Sequence, residues 1–293
     1  MSASLNWLES LRRLTPVDKA VLISVTATKG SVPRPAGTRM LVTASTQHDT
    51  IGGGHLEWKA IACARLWLAE ADHPAEQQRE LELSLGASLG QCCGGAVSLR
   101  LERVDYWSPA TLQDKLRHYQ QEQSALPHLY LFGAGHVGQA LVTILQQTPC
   151  RISWVDERDH LFPGDLPAHI QVEATDIPEA VIAAAEPGAY FLVMTHHHGL
   201  DLLLSEHILR KTDAAWFGLI GSKTKRARFE HRLRDQGMSP ERLQTMCCPI
   251  GIGGINGKEP GVIAVAVAAQ LLQLWATRPT LATSTQTTEN KAP

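Results

Sequence analysis

The sequence predicts an α/β protein of two domains: a smaller N-terminal α/β domain over residues 1–125, then a parallel-sheet domain over 126–276 with a polar tail at 277–293. Three observations carry this. The apolar run Leu129-Tyr130-Leu131-Phe132 leads into Gly133-Ala134-Gly135-His136-Val137-Gly138, and a second run, Ile152 to Val155, ends on Asp156. That order suits a βαβ nucleotide-binding unit: the glycines let backbone amides approach a diphosphate at a helix N-terminus, and the later carboxylate meets a ribose diol. Beyond Asp156, short apolar runs continue to alternate with helical stretches, so this half reads as Rossmann-like. Finally, about 130 residues precede the unit, enough for another domain with its own core.

Taken in order, Val21 to Thr28 is rich in β-branched residues and reads as a strand, and Lys29 to Gly37 is too dense in Gly and Pro to be anything but a loop. Arg39 to Thr43 is a second strand. Gly52-Gly53-Gly54 then feeds an Ala-rich helix over His55 to Ala71, a second glycine turn at a helix N-terminus. Glu80 to Leu85 and Ala96 to Glu102 read as strands, with Gly86 to Gly95 as a loop between them. Ser108 to Gln123 is a polar helix with little core, and Ser124 to His128 connects to the second half.

In that half, Gln171 to Ala174, Tyr190 to Thr195 and Ala215 to Ile220 are strands, and Pro178 to Glu186 is a helix. A helix from Thr224 to Gln236 stops at Gly237. The one beginning near Pro260 is apolar on nearly every side and is expected to be buried. The Thr-rich tail lacks the apolar content to fold and is expected to be disordered.

Composition narrows the partners. The 293 residues carry a formal charge of -2 with 19% charged and 44% hydrophobic residues, without the basic excess of a nucleic-acid binder. The N-terminal stretch has no basic flank and apolar signal core, and the longest apolar run, Val262 to Ala269, is far too short to span a bilayer. A soluble cytoplasmic protein without a membrane partner is expected. The cysteines at 63, 92, 93, 150, 247 and 248 include two vicinal pairs but no C-x-x-C spacing, which argues for reduced thiols over disulfides or structural zinc.

Four loops fall at carboxyl ends of the second-half strands, where an open parallel sheet binds ligands: Gly133 to Gly138, Asp156 to Arg158, Thr195 to Asp201, and Gly221 to Lys225. The alternative is a scaffold whose glycines only permit tight helix–strand packing. Ser222 reads as an N-cap. Lys223, Lys225 and Arg226 crowd the turn behind it, where cations oppose the helix dipole unless an anion is near; a solvated basic face is the other reading. The trio His196 to His198 lacks i, i+4 spacing, so ligand or Asp201 hydrogen bonding is favoured over metal. In Gln91-Cys92-Cys93-Gly94-Gly95, two glycines leave free amides beside a thiol, a setting that can stabilise a thiolate; a buried, inert cysteine is the competing reading.

These pieces, taken together from about Val21 to Trp275, resemble the XdhC-type accessory proteins of xanthine dehydrogenase and the related CoxF/CoxI proteins of carbon monoxide dehydrogenase. In the first half the resemblance rests on Gly30-Ser31-Val32-Pro33-Arg34 with Gly37 and Met40, on Gly52-Gly53-Gly54-His55-Leu56-Glu57, and on Leu89 through Gly95. In the second it rests on Phe132 through Gly138, Thr195-His196 with Asp201, Leu219 through Lys223 with Lys225-Arg226, and Pro249-Ile250-Gly251. After Pro260, where the family pattern carries two acidic residues, this chain has Gly261-Val262.

The resemblance implies a binding and insertion factor without turnover of its own, acting in purine catabolism. Such a protein holds the molybdenum cofactor while a cysteine desulfurase supplies the terminal sulfido ligand, then delivers it to apo-xanthine dehydrogenase; a homodimer is expected. On this reading the glycine-turn amides of Gly52, Gly53, Gly54, Gly133, Gly135, Gly138 and Gly221, with Ser222, Lys223, Lys225 and Arg226, hold the pterin phosphate, and His136 and Asp156 complete the cofactor- or nucleotide-binding set. Thr195, His196 and Asp201 bond the pterin, and Cys93 or Cys92 meets molybdenum or a sulfur in transit. The rival is an oxidoreductase that binds NAD through Gly133 to Gly138 and Asp156. No Ser, Tyr and Lys dehydrogenase set accompanies that fingerprint.

Overall fold

The computed structural model describes residues 6–70, 76–85 and 94–278. It forms two compact units, Met1–Glu122 and Gln123–Pro293. Cys92, Cys93 and the expected tail from residue 279 lie outside the described residues.

The first unit contains α1 (Trp7–Arg13), β1 (Ala20–Lys29), β2 (Arg39–Thr43), β3 (Gln47–His48), α2 (Gly54–Ala69), β4 (Gln78–Ser84), β5 (Ala96–Arg103) and α3 (Pro109–Ser124), the last crossing into the second unit. The strands make an antiparallel sheet in the order β3-β2-β1-β5-β4. Alternation along β1 splits the core between the two faces. Val21, Ile23 and Val25 pack with Leu56, Ala60, Ala64 and Trp67 of α2, while Ala20 and Leu22 pack with Leu8 and Leu11 of α1 and Tyr119 of α3. The helix α1 is absent from the sequence reading, although Asn6 caps it by accepting a hydrogen bond from the Glu9 amide.

The second unit runs β6 (His128–Phe132), α4 (His136–Leu145), β7 (Arg151–Asp156), β8 (Ile170–Ala174), α5 (Pro178–Ala184), β9 (Tyr190–Val193), α6 (His198–Arg210), β10 (Trp216–Leu219), α7 (Lys223–Asp235), α8 (Pro240–Gln244), β11 (Met246–Cys247) and α9 (Pro260–Ala276). All six strands are parallel, in the order β11-β10-β9-β6-β7-β8. The chain thus winds outward from β6 in one direction and from β9 in the other, and the crevice between those two strands is the switch point where ligands bind in such sheets.

Both faces of this sheet are covered, which is why its strands read as continuous apolar runs. Tyr130 and Phe132 join Phe191, Val193, Leu204, Ile208 and Phe229 on one face. Leu129 and Leu131 join Leu141, Leu145, Trp154, Val267 and Leu271 on the other. Against expectation, α9 is not buried all round: Val265 and Leu272 are exposed. Among the described residues, no helix is long and apolar enough to cross a membrane.

Candidate functional site

The glycine turn after β6 is held shut from within. Asp156, the last residue of β7, accepts four hydrogen bonds: Oδ2 from the Ala134 amide at 2.7 Å and Arg158 Nη2 at 2.9 Å, Oδ1 from the Arg158 amide at 3.0 Å and Arg158 Nε at 2.8 Å. An ionised carboxylate offers about four lone-pair sites, so none is left for a ribose diol. Burial raises the Asp156 pKa, but the Arg158 guanidinium and the two amides outweigh it and hold the group at about 2.

Two of the three fingerprint glycines serve packing. Gly133 has φ +120°, and a Cβ there would lie 2.3 Å from the Met194 carbonyl oxygen. A Cβ on Gly138 would lie 2.2 Å from the Gly133 oxygen. Gly135, the N-cap of α4, has open space beside it, with His136 opening the helix.

The first-half turn is closed too. Gly52, Gly53 and Gly54 all have positive φ, the geometry that favours glycine. Glu57 turns back into the bend, where Oε2 accepts from the Ile51 amide at 3.0 Å, the Gly53 amide at 3.1 Å and the Thr50 hydroxyl. The Gly52 amide donates to Thr50 Oγ1 at 3.0 Å. An internal carboxylate thus occupies the anion position that the sequence suggests for a ligand.

Beyond β9 the histidine trio separates, because α6 begins at His198 where the sequence suggests loop through Asp201. His197 caps the helix, its Nδ1 accepting from the Leu200 amide at 3.1 Å. His196 turns toward Glu157, 3.7 Å away. Asp201 sits in the first turn, 1% exposed. Its Oδ1 accepts from the Thr195 hydroxyl at 2.7 Å and amide at 3.1 Å, and its Oδ2 meets Lys225 Nζ at 2.6 Å. Lys225 also donates to the Ile220 carbonyl at 2.8 Å. Gly221 makes room for this path, since a Cβ there would stand 2.6 Å from Lys225 Cδ.

The basic turn of α7 is therefore largely self-satisfied. Lys225 is neutralised by Asp201, and Arg226 pairs with Glu230 at 2.7 Å while bonding the Cys248 carbonyl. Ser222 is the N-cap, accepting from the Lys225 amide at 3.2 Å. Lys223 is exposed.

Two cavities open near the carboxyl ends of the strands, and both touch Thr195. The smaller, about 70 Å³, is bounded by Gly133, Asp156, Glu157, Asp176 and His196. The larger, about 590 Å³, lies beyond β9 and β10, between His198 and Asp201 of α6, the Gly221-Ser222 turn, and Lys225, Arg228 and Arg232 of α7. That volume falls within the roughly 300–1,000 Å³ typical of small-molecule sites. Arg228 and Arg232 are absent from the sequence reading. Their i, i+4 spacing matches an ordinary solvated basic face; both stay exposed, and only the placement of α7 sets them at the edge of the cavity.

Of the expected ligands to one group, the structure brings together Thr195, Asp201, Gly221, Ser222 and Lys225 around the larger cavity, and Gly133, Asp156, Thr195 and His196 around the smaller. Gly52, Gly53 and Gly54 belong to the other unit.

Comparison with known proteins agrees with this architecture. Residues 129–271 match the model of the XdhC Rossmann domain, and residues 16–77 that of the XdhC and CoxI family. The chain is 26% identical over 266 residues to the uncharacterised protein YqeB of Escherichia coli K12, a match that covers 86% of this chain and 43% of YqeB. The chain thus spans less than half the length of that curated relative. A crystal structure from Bacillus halodurans, described as a xanthine dehydrogenase, is similar in fold with a TM-score of 0.72 at 20% identity, over 94% of this chain and 97% of that one. With both halves matched in order, the chain belongs to the XdhC and CoxI family.

Proposed function

We propose that this protein is a maturation factor that binds the molybdenum cofactor, shelters it while a cysteine desulfurase supplies its sulfido ligand, and delivers it to apo-xanthine dehydrogenase, acting as a homodimer. Membership of the XdhC and CoxI family supports an accessory role in xanthine dehydrogenase maturation. The observation that carries the binding role is the cavity of about 590 Å³ at the end of the parallel sheet, where cationic side chains stand beside Thr195 and His198. Its cargo, a phosphorylated pterin dithiolene, needs an anion-binding end, polar groups for the ring edge and shelter from water; the cavity offers groups for the first two. Cys92 and Cys93 are proposed as the contact for sulfur or molybdenum.

The nicotinamide reading is the weaker one because Asp156, its ribose acceptor, spends both oxygens on Ala134 and Arg158. The test is to purify the protein from a molybdate-fed host and identify bound ligand by mass and absorption, alongside titration with NAD. Bound pterin and molybdenum in stoichiometric amount, with no saturable NAD binding, is the expected result. NAD binding with no pterin recovered overturns the proposal.

A further inference from the structure

We propose that Arg228 and Arg232 form a binding site for a phosphate monoester dianion in the larger cavity of the second unit. This deepens the reading above by naming the group of the cargo that the protein grips, and rests on that reading only for the identity of the cargo.

The charges around the cavity do not balance. Asp201 and Lys225 cancel one another across 2.6 Å. Arg228 and Arg232 remain, and among the described residues neither guanidinium has an ion-pair partner. At 100° per residue, Thr224, Lys225, Arg228, Phe229 and Arg232 share one face of α7, the face that lines the cavity. Arg234, equally charged and also exposed, lies on the opposite side of the helix and outside the cavity.

Several features favour a compact doubly charged oxyanion. Arginine presents a planar fork of N–H donors that matches phosphate oxygens two at a time. The first turn of α7, thirteen residues long, opens onto the same space through Ser222 and Thr224, so its dipole adds to the positive field. The remaining wall includes Ile220 and Phe229, apolar surface that suits the body of a small organic ligand. A polyanion is disfavoured, since the chain as a whole carries -2.

Two sources share this chemistry, a phosphorylated pterin and a nucleoside monophosphate. The experiment is calorimetric titration of the full chain with two probe pairs, 6-hydroxymethylpterin phosphate against 6-hydroxymethylpterin, and AMP against adenosine, together with inorganic phosphate. The phosphorylated member of the pterin pair is expected to bind at least about tenfold more tightly than its partner, as charge-assisted bonds to two guanidinium groups imply. Arg228→Gln and Arg232→Gln each reduce that preference and together abolish it, with circular dichroism and melting unchanged. Arg234→Gln leaves it intact, so loss of helix charge alone is not the cause.

A phosphate preference confined to AMP supports the site and refutes the pterin cargo. Cofactor that co-purifies equally with the wild type and the double variant refutes the site while the chaperone reading stands. No phosphate preference in either pair, or equal losses in Arg234→Gln and Arg228→Gln, overturns the proposal.

Discussion

Lys225 Nζ and Asp201 Oδ2 lie 2.6 Å apart, between side chains that are 12% and 1% exposed. This contact ties α7 to α6 beneath the larger cavity, and its two charges are stable only together. Asp201→Leu leaves an ammonium facing a desolvated wall and strips the Thr195 amide of its acceptor, with an expected cost of about 3–5 kcal/mol. Lys225→Met added to Asp201→Leu removes the stranded charge. The double variant is therefore expected to be more stable than the single in urea unfolding; equal or lower stability contradicts the pairing.

Asp156 gives the second unit a specific acid sensitivity. Its folded pKa, about 2, lies below the usual carboxylate value, so its contribution is fully present above about pH 4 and is lost as pH falls toward 2. The shift corresponds to about 2 kcal/mol. Urea midpoints measured down that range should fall steeply in the wild type, and Asp156→Asn should start lower and show a shallower decline.

His128 acts in a milder range. Its ring bridges Ser153 Oγ at 2.9 Å and Glu186 Oε1 at 3.0 Å. Burial, and then the nearby Arg151 cation, depress its pKa. The unfolded chain therefore takes up the proton first, and stability is lost as pH falls below about 6.5 toward the folded value. The imidazole resonances of His128 should titrate below that of an exposed histidine, and His128→Gln should flatten the stability profile below about pH 6.5.

How far the sequence reveals these sites depends on the range of the interactions. The strands of the second unit are legible because each is a short apolar run buried on both faces, and the helix end at Gly237 because that glycine has φ +87°. The start of α6 is hidden behind Thr195-His-His-His-Gly, since its cap is a histidine ring, an uncommon N-cap. Asp201 in the first turn, with Leu200, Leu204 and Ile208 at helical spacing, is the signal that could have exposed it. That Lys225 answers Asp201 while Arg228 and Arg232 have no ion-pair partner among the described residues depends on how two helices meet on one face of the sheet, which no local pattern encodes.

Glu57 is expected to matter to the first-half turn more than any ligand does. Glu57→Ala leaves the Ile51 and Gly53 amides without their acceptor, a loss of about 1–3 kcal/mol. Gly53→Ala, at φ +72° and ψ -168° with open space for a methyl, should cost about 1–3 kcal/mol from backbone strain alone. Gly52→Ala should cost more, because its Cβ would stand 2.6 Å from Pro33 Cγ. Thermal melts that rank Gly52→Ala as milder than Gly53→Ala contradict this account.

The second-half glycines sort by a similar test. Gly133→Ala must fit a methyl 2.3 Å from the Met194 oxygen at φ +120°, and Gly138→Ala one 2.2 Å from the Gly133 oxygen. In each case the obstacle is backbone that also forms the β6, β9 and α4 junction, so relief requires the sheet and helix to separate. Both variants are expected to lose more than about 2 kcal/mol, as overpacking does in tight sites. Gly135→Ala meets no atom within 4 Å and keeps a negative φ, so its urea midpoint should match the wild type closely. Because it adds bulk at the open end of α4 without straining the fold, any effect of Gly135→Ala on ligand binding reports direct approach to that turn. A large stability loss in Gly135→Ala, or none in Gly138→Ala, is incompatible with the packing described.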